Sequence, residues 1–587
     1  MLEGLNAQQI AAVLQPGNVL LTACPGSGKT RVLSFKVAHE LPKIVDKKKL
    51  IVALTFTNRA ADEIKKRITR MDIDLSKLWA GTIHSFCLEW ILRPYASYLD
   101  EIKNGFVIAD EYKSEELMSL LKEDYGFEWW ERISTRRNTD GSFAEPNFKY
   151  HDLLDDYDEA LKGEKLIDFD LILYYAYRLL DLYPKIGKTL NNMFHLICVD
   201  EYQDTQELQY AILSKIICVE ENKTLLFIVG DKDQAIYGSL GGVAKSLKEI
   251  KQQFGNIKIK ELQLSGNYRT SQRVIDYYRN YQTTDIDIRS LCEHADEHGQ
   301  ITFNKDVDKD ELDQHIAHII QQNIEAGVPE HEICVLAPQW WLVIPMGRKL
   351  KGHLPTVNFD AVGLSPLLKN KENIWFRVAR LFLVTPSPKM YMVRNRWATE
   401  LIEEFEALGI NLFPEVEKKS KRILKLINSI SSTEEDGLTY LENCFIELLT
   451  LLEIEIKEHS TLERHWEYFF EGSRKRLSNP EFDYAKDLTS FRRLFSHTSG
   501  VVVNTCHGIK GEEFHTVIAF GLLHGYLPNW NEVYPAETSK KLLYVICSRS
   551  KKHLHLIAED GRKTRSGRPY NITQHLSALA YQYDDEE

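Results

Sequence analysis

The chain has 587 residues, 43% of them hydrophobic and 27% charged, with a net charge of −12. That length exceeds what one hydrophobic core organises, so several domains are expected, while the acidic balance excludes a histone-like polybasic binder. No apolar run approaches the roughly 20 residues of a membrane span, MLEGLNAQQI lacks the basic-then-apolar order of a secretory signal, and the nine cysteines form no CxxC pair, so a cytoplasmic protein with reduced thiols is expected.

In chain order, LNAQQ (Leu5 to Gln9) precedes the apolar run VLLTA (Val19 to Ala23), then ACPGSGKT (Ala23 to Thr30) and a helix-like RVLSFKVAHEL. LIVAL (Leu50 to Leu54) runs into LTFTNRAADEI, and GTIHSFC follows at Gly81 to Cys87. Between about Tyr95 and Phe194 the rhythm changes: EELMSLLKEDYGFEWWERI and HDLLDDYDEALKGEK read as helices, with LIDFD, containing Asp168, at the return. LICVD (Leu196 to Asp200) and LLFIVGD (Leu225 to Asp231) resume the short apolar runs. A second set comprises ELQLSGNYR, ITFNKDV, EICVLAP, VVVNT, TVIAFG and HLHLIA, interrupted by a helix-rich stretch from Phe376 to Ser496, and the chain closes on DDEE.

Short apolar runs bounded by polar turns and joined by helical crossovers predict parallel sheets. The expected architecture is α/β, with two such domains each carrying a helical insertion. The first domain takes residues 1–97 and 181–262 around an insertion at 98–180; the second takes 263–375 and 498–587 around an insertion at 376–497.

ACPGSGKT sits between a strand and a helix, where a phosphate loop belongs. Gly26 and Gly28 allow the backbone to curl so that its N–H groups face phosphate, Lys29 reaches the β- and γ-phosphates, and Thr30 offers a hydroxyl to Mg²⁺. Ala23 stands where the strict pattern has glycine. Asp200 and Glu201 end a strand, so Asp200 can share the Mg²⁺ while Glu201 orients and deprotonates water for attack on the γ-phosphate. Hydrolysis, not transfer to a hydroxyl, is the implied chemistry.

DEYQDTQ at Asp200 to Gln206, GDKDQAIYG at Gly230 to Gly238 and NYRTS at Asn267 to Ser271 resemble the UvrD/Rep/PcrA family of superfamily 1 DNA helicases. LNAQQ, LTFTNRAADEI, GTIHSFC, NTCHGIKGEEF (Asn504 to Phe514) and LLYVICSRSKK (Leu542 to Lys552) resemble further motifs of that family, in order. The resemblance implies two RecA-like P-loop domains, termed 1A and 2A, with insertions 1B and 2B, and 3′→5′ movement on single-stranded DNA. It implies that Gln9 reads adenine, Tyr268 stacks on it, Glu513 binds ribose, and the loop residues Ala23, Cys24, Pro25, Gly26, Ser27, Gly28, Lys29, Thr30 and Arg31 hold the nucleotide. Gln234 would sense the γ-phosphate, and Arg269 and Arg549 would be arginine fingers from the second domain. For the DNA, it implies base stacking by Phe56 and Tyr237 and backbone contacts by Thr57, Thr82, His84, Thr505 and His507. Aromatic faces bind any base, which suits a motor without sequence preference.

The chain departs from the family at Ser239 and Leu240, where an aromatic and an arginine are usual, and at Glu512, where leucine is usual. These departures, with a compact second insertion, favour a second reading beside the autonomous helicase. In it the chain resembles the UvrD-like component of anti-phage systems such as Gabija, a strand-gated ATPase that controls a partner nuclease. Single strands, or junctions with duplex, are the expected nucleic-acid partner in both readings. A catalytically silent scaffold is disfavoured because Lys29, Asp200, Glu201, Arg269 and Arg549 are all retained.

Overall fold

The computed structural model describes residues 2–109, 111–219, 222–238, 241–361, 364–367, 373–414, 417–478, 484–495, 500–530, 532, 534–564 and 566–585. Strands β1 (Asn18–Ala23), β2 (Leu50–Thr55), β3 (Leu78–Thr82), β4 (Phe194–Val199), β5 (Leu225–Gly230) and β6 (Ile259–Leu264) form one parallel sheet in the order β3-β2-β4-β5-β1-β6. The second sheet is also parallel. It comprises β7 (Ile301–Asn304), β8 (Ile333–Ala337), β9 (Phe359–Ala361), β10 (Val501–Thr505), β11 (Phe514–Ala519) and β12 (Ser550–Ile557), in the order β7-β12-β11-β8-β10-β9.

The inner strands of the first sheet are apolar because both of its faces are covered, whereas the edge strand β6, IKELQL, is largely exposed. Along β1, Val19 and Leu21 pack into one layer with Ile51, Ala53 and Val229, while Leu20 packs into the opposite layer with Val52, Ile197 and Ile228. The first insertion shares that second layer: Tyr157, Leu173 and Leu179 belong to the same core as Leu20. Its helices are Glu111–Asp124, His151–Gly163, Phe169–Leu182 and Pro184–Met193. The boundary expected at residue 180 falls inside Phe169–Leu182. Asp168 caps that helix by accepting from the Leu171 N–H at 2.8 Å.

One expected helix is shorter than the apolar pattern suggested. EELMSLLKEDYGFEWWERI is helical only to Asp124, because Gly126, at φ +69°, turns the chain and Phe127 N–H returns to the Lys122 carbonyl at 2.8 Å. Residues 129–147 then run as an irregular loop closed by a bridge between Arg137 and Phe143.

The second insertion has its own core around Trp375, Leu441, Phe445 and Phe470. Asp584 is built into the fold, accepting two bonds from Arg273 at 2.6 and 2.7 Å and one from Ile301 N–H at 2.7 Å. The two sheet domains are joined at Asp233, whose fully buried carboxylate accepts from the backbone N–H and hydroxyl of both Thr283 and Thr284. Among the described residues no helix is long and apolar enough to cross a membrane.

Candidate active site

The phosphate loop leaves β1 at its C-terminal end, beside the first turn of the helix Lys29–Glu40. Cys24 N–H donates to the Leu264 carbonyl at 3.1 Å, and Ser27 Oγ donates to the Cys24 carbonyl at 2.7 Å, so residues 24–27 are tied to the sheet. Gly26 and Gly28 are at φ +66° and +81°. A side chain at Gly26 would also collide: its Cβ would lie 2.8 Å from both Arg269 Cβ and Asn267 Oδ1. The second domain therefore touches the loop directly, and Tyr268 N–H donates to the Gly26 carbonyl at 3.0 Å.

A cleft of about 790 Å³ opens between the domains, lined by Gly26 to Arg31, Phe35, Glu201 and Gln234 from the first and by Tyr268, Arg269, Glu513 and Arg549 from the second. Tyr268, 43% exposed, stands at its edge with its hydroxyl accepting from Asn6 Nδ2 at 2.7 Å. Gln9 is nearly buried; its Nε2 donates to the Ser27 carbonyl at 2.9 Å and its Oε1 accepts from Asn6 N–H at 3.0 Å. Both ends of that amide thus join the loop to the N-terminal helix Ala7–Leu14, whose first turn it also caps.

Asp200 and Glu201 follow β4. Thr30 Oγ1 donates to Asp200 Oδ2 at 3.4 Å, and Glu201, at φ +51°, turns its carboxylate away to accept from Gln203 Nε2 at 2.6 Å. Burial, then the neighbouring Glu201 charge, pushes Asp200 up to about 7. At Glu201 burial acts against ionisation, but the charges of Lys29 and Lys510 and the Gln203 bond outweigh it, and the carboxyl is held below its ordinary value. A buried carboxylate beside a hydroxyl at the foot of a phosphate loop fits Mg²⁺, which would be held by Thr30 and Asp200.

Arg549 is 1% exposed; its guanidinium donates to Gln234 Oε1 at 3.0 Å and to the Glu512 and Val545 carbonyls at 3.2 Å, and burial pushes it down to about 9. Gln234 in turn donates to Asp231 Oδ2 at 2.7 Å. Arg269 is ion-paired with Glu513 through Nε. Lys510 was not singled out in the sequence. Its ammonium bridges the domains, donating to both oxygens of Asp204 at 2.6 and 2.8 Å and to the Gln234 carbonyl at 2.9 Å. Lys510 and Asp204 lie inside two of the quoted motifs, but nothing in their spacing signals a pair separated by 306 positions.

Aromatic residues expected to stack bases meet at the same seam. Phe56 and Tyr237 lie 5.0 Å apart at 20°, Tyr237 and His507 5.8 Å apart, and Lys510 sits 4.7 Å over the Tyr237 ring. Tyr237 also donates to the His507 carbonyl at 3.2 Å. Phe56 is 47% exposed, so this strip faces solvent at one end. Thr57 and Thr82 cap helices, accepting from Ala60 N–H at 3.2 Å and Ser85 N–H at 3.3 Å, and Thr505 accepts from Gly508 N–H at 3.1 Å. His84 packs edge-on against Phe169, where burial lowers it to about 4. Ser239 and Leu240 lie outside the described residues, and Glu512 pairs with Arg59 across the domains at 3.2 Å.

Two parallel α/β domains, a glycine-rich loop after β1 with an acidic pair at the end of β4, one strand removed, and the buried Arg549 and half-buried Arg269 facing it from the second domain define a two-domain P-loop fold. Residues 5–255 match the family described as UvrD/REP helicase N-terminal domain. Over 301 residues the chain is 29% identical to an ATP-dependent DNA helicase UvrD1 of Mycobacterium tuberculosis, a match covering 47% of this chain and 38% of the relative. Over 295 residues it is 30% identical to an ATP-dependent DNA helicase PcrA of Staphylococcus aureus, covering 47% of this chain and 39% of the relative. The chain is UvrD/PcrA-like, and its matched part spans under two fifths of those relatives' length.

Proposed function

We propose that this chain hydrolyses ATP between its two RecA-like domains and uses the cycle to move 3′→5′ along single-stranded DNA in the cytoplasm. The observation that carries the reading is the shared cleft, where Lys29 and Glu201 of one domain face Arg269 and Arg549 of the other. The phosphate loop binds the nucleotide, and Glu201, held ionised by Lys29 and Lys510, accepts the proton of the attacking water. Mg²⁺, held by Thr30 and Asp200, would neutralise phosphate charge. Arg269 and Arg549 stabilise the charge that develops on the transferring phosphoryl group, so turnover requires the domains to be closed. Reopening releases product, and the alternation displaces the Phe56–Tyr237–His507 strip relative to the strand. Tyr268 stacks on adenine, Gln9 reads it or fixes the loop beside it, and Glu513 exchanges its Arg269 partner for ribose.

The test is ATP turnover with and without oligothymidine. Lys29→Ala should lose nucleotide affinity and turnover together, Glu201→Gln should keep affinity and lose turnover, and Arg549→Ala should lose turnover. Full activity in Arg549→Ala would refute hydrolysis between two domains. Ser239 and Leu240, in place of an aromatic and an arginine, favour a variant of this reading in which the motor steps well but opens duplex poorly without a partner nuclease, as in anti-phage defence. Efficient unwinding of long duplexes by the purified chain would exclude that variant.

A further inference from the structure

The irregular loop of the first insertion carries three arginines, Arg132, Arg136 and Arg137, and they are used differently. Arg137 is an anchor: it is ion-paired with Asp158 and stacks 3.6 Å over the Phe143 ring. Two further bonds fix the loop, from Ser134 N–H to Glu145 Oε2 at 3.0 Å and from Thr135 Oγ1 to Asp170 Oδ2 at 2.6 Å. Glu131 is occupied by Lys149 at 2.6 Å. Among the described residues, neither Arg132 nor Arg136 is in an ion pair. Arg136 spends only its Nε, on Ser134 Oγ at 3.0 Å.

The place where this cation is held matters. The Arg136 guanidinium lies on the backbone of Gly241: a Cβ there would sit 2.0 Å from Nη1. Gly241 belongs to the turn that follows Tyr237, in which Gly242 N–H donates to the Tyr237 carbonyl at 3.0 Å. Arg136, which forms no ion pair although its charge acts on the buried Asp170, therefore borders the turn that carries Tyr237, supplied by an insertion rather than by any quoted motif. The sequence around the turn lacks a cation of its own, since Ser239 and Leu240 stand where an arginine is usual.

Resting on the proposed strand-binding reading, we infer that Arg136 is a backbone-phosphate contact for the single strand that runs over Phe56, Tyr237 and His507. A guanidinium matches phosphate by paired N–H bonds, and one rigidly seated beside stacking rings fixes the backbone while the rings take the bases.

The experiment is fluorescence anisotropy of labelled oligothymidine with the full chain over a series of salt concentrations. Each phosphate contact on a single strand contributes about 0.7 to the slope of log affinity against log salt. Arg136→Ala should therefore flatten the slope by about 0.7. Between about 50 and about 200 mM salt, the parent's loss of affinity should exceed that of Arg136→Ala by roughly 2.6-fold. Arg136→Lys, which keeps the charge, should hold most of the slope. A slope unchanged in Arg136→Ala would overturn the inference, as would an equal loss in Arg136→Lys, which would mark a packing role. Should Arg136→Ala fail to fold, Arg136→Gln, which keeps much of the side chain and removes the charge, decides in its place against Arg136→Lys. A parent that shows no salt-dependent binding of oligothymidine would instead refute the strand-binding reading itself.

Discussion

Replacing Lys510 by methionine keeps the length of the side chain and removes its ammonium. In the closed arrangement Asp204 is then left with its carboxylate 1% exposed and without the cation that now lies 2.6 Å away. Burial already pushes Asp204 up to about 6 with Lys510 in place, so the carboxylate depends on that contact to remain charged. Breaking one side of a buried pair costs about 3–5 kcal/mol, and because Asp204 and Lys510 lie in different domains the cost falls on the arrangement that brings them together. About 3 kcal/mol corresponds to roughly 150-fold in the closed population, and oligothymidine-stimulated kcat should fall by at least that order. Nucleotide binding to the phosphate loop should change little, since Lys510 is not among the residues lining the cleft. Removing both charges, with Lys510→Met and Asp204→Leu together, should recover at least a tenfold part of the loss, because no buried charge is left unpaired. The assay is steady-state turnover of the four members of this cycle at saturating oligothymidine. A Lys510→Met enzyme within about twofold of the parent, or losses that simply add, would refute the assignment of Lys510 as the link between the domains.

Phe56→Ala should weaken oligothymidine binding roughly tenfold or more without creating sequence preference, as each stacked base contributes about 1–3 kcal/mol; equal affinity at matched salt would count against the stacking role. Asp168 is buried and pushed up to about 7, chiefly by that burial and then by Asp170. A carboxyl raised in the folded state binds its proton more tightly there, so the first insertion should lose stability as pH rises from about 4 to 7, and Asp168→Asn, which keeps the helix cap, should flatten that dependence in thermal unfolding.

The inner strands were legible because they are buried on both faces and so read as uninterrupted apolar runs; Leu20 and Leu21 enter different layers, yet both had to be apolar, whereas ELQL, expected in the second set, is the exposed edge strand β6 of the first sheet. The phosphate loop and the acidic pair were legible because phosphate chemistry restricts residue type and spacing together. What the sequence concealed depends on contacts between distant segments. Lys510 and Asp204 look like two surface charges until the domains are placed against each other. Residues 125–133 were misread as helix because Trp129 and Trp130, exposed at 85% and 55%, imitate a buried apolar stripe. Gln9 matched a base-reading position, but local sequence could not show that Asn6 and Ser27 already engage both ends of its amide.

Asp233 gathers four donors from Thr283 and Thr284 in a place that water does not reach. Any relative displacement of the two domains that preserves those bonds must be a rotation, since sliding would break several of them at once. The joint therefore behaves as a pin. In the proposed cycle each part of the seam would travel an arc in proportion to its distance from that pin, so lengthening or shortening the segment on either side of Thr283 would change the displacement per turnover without altering the chemistry.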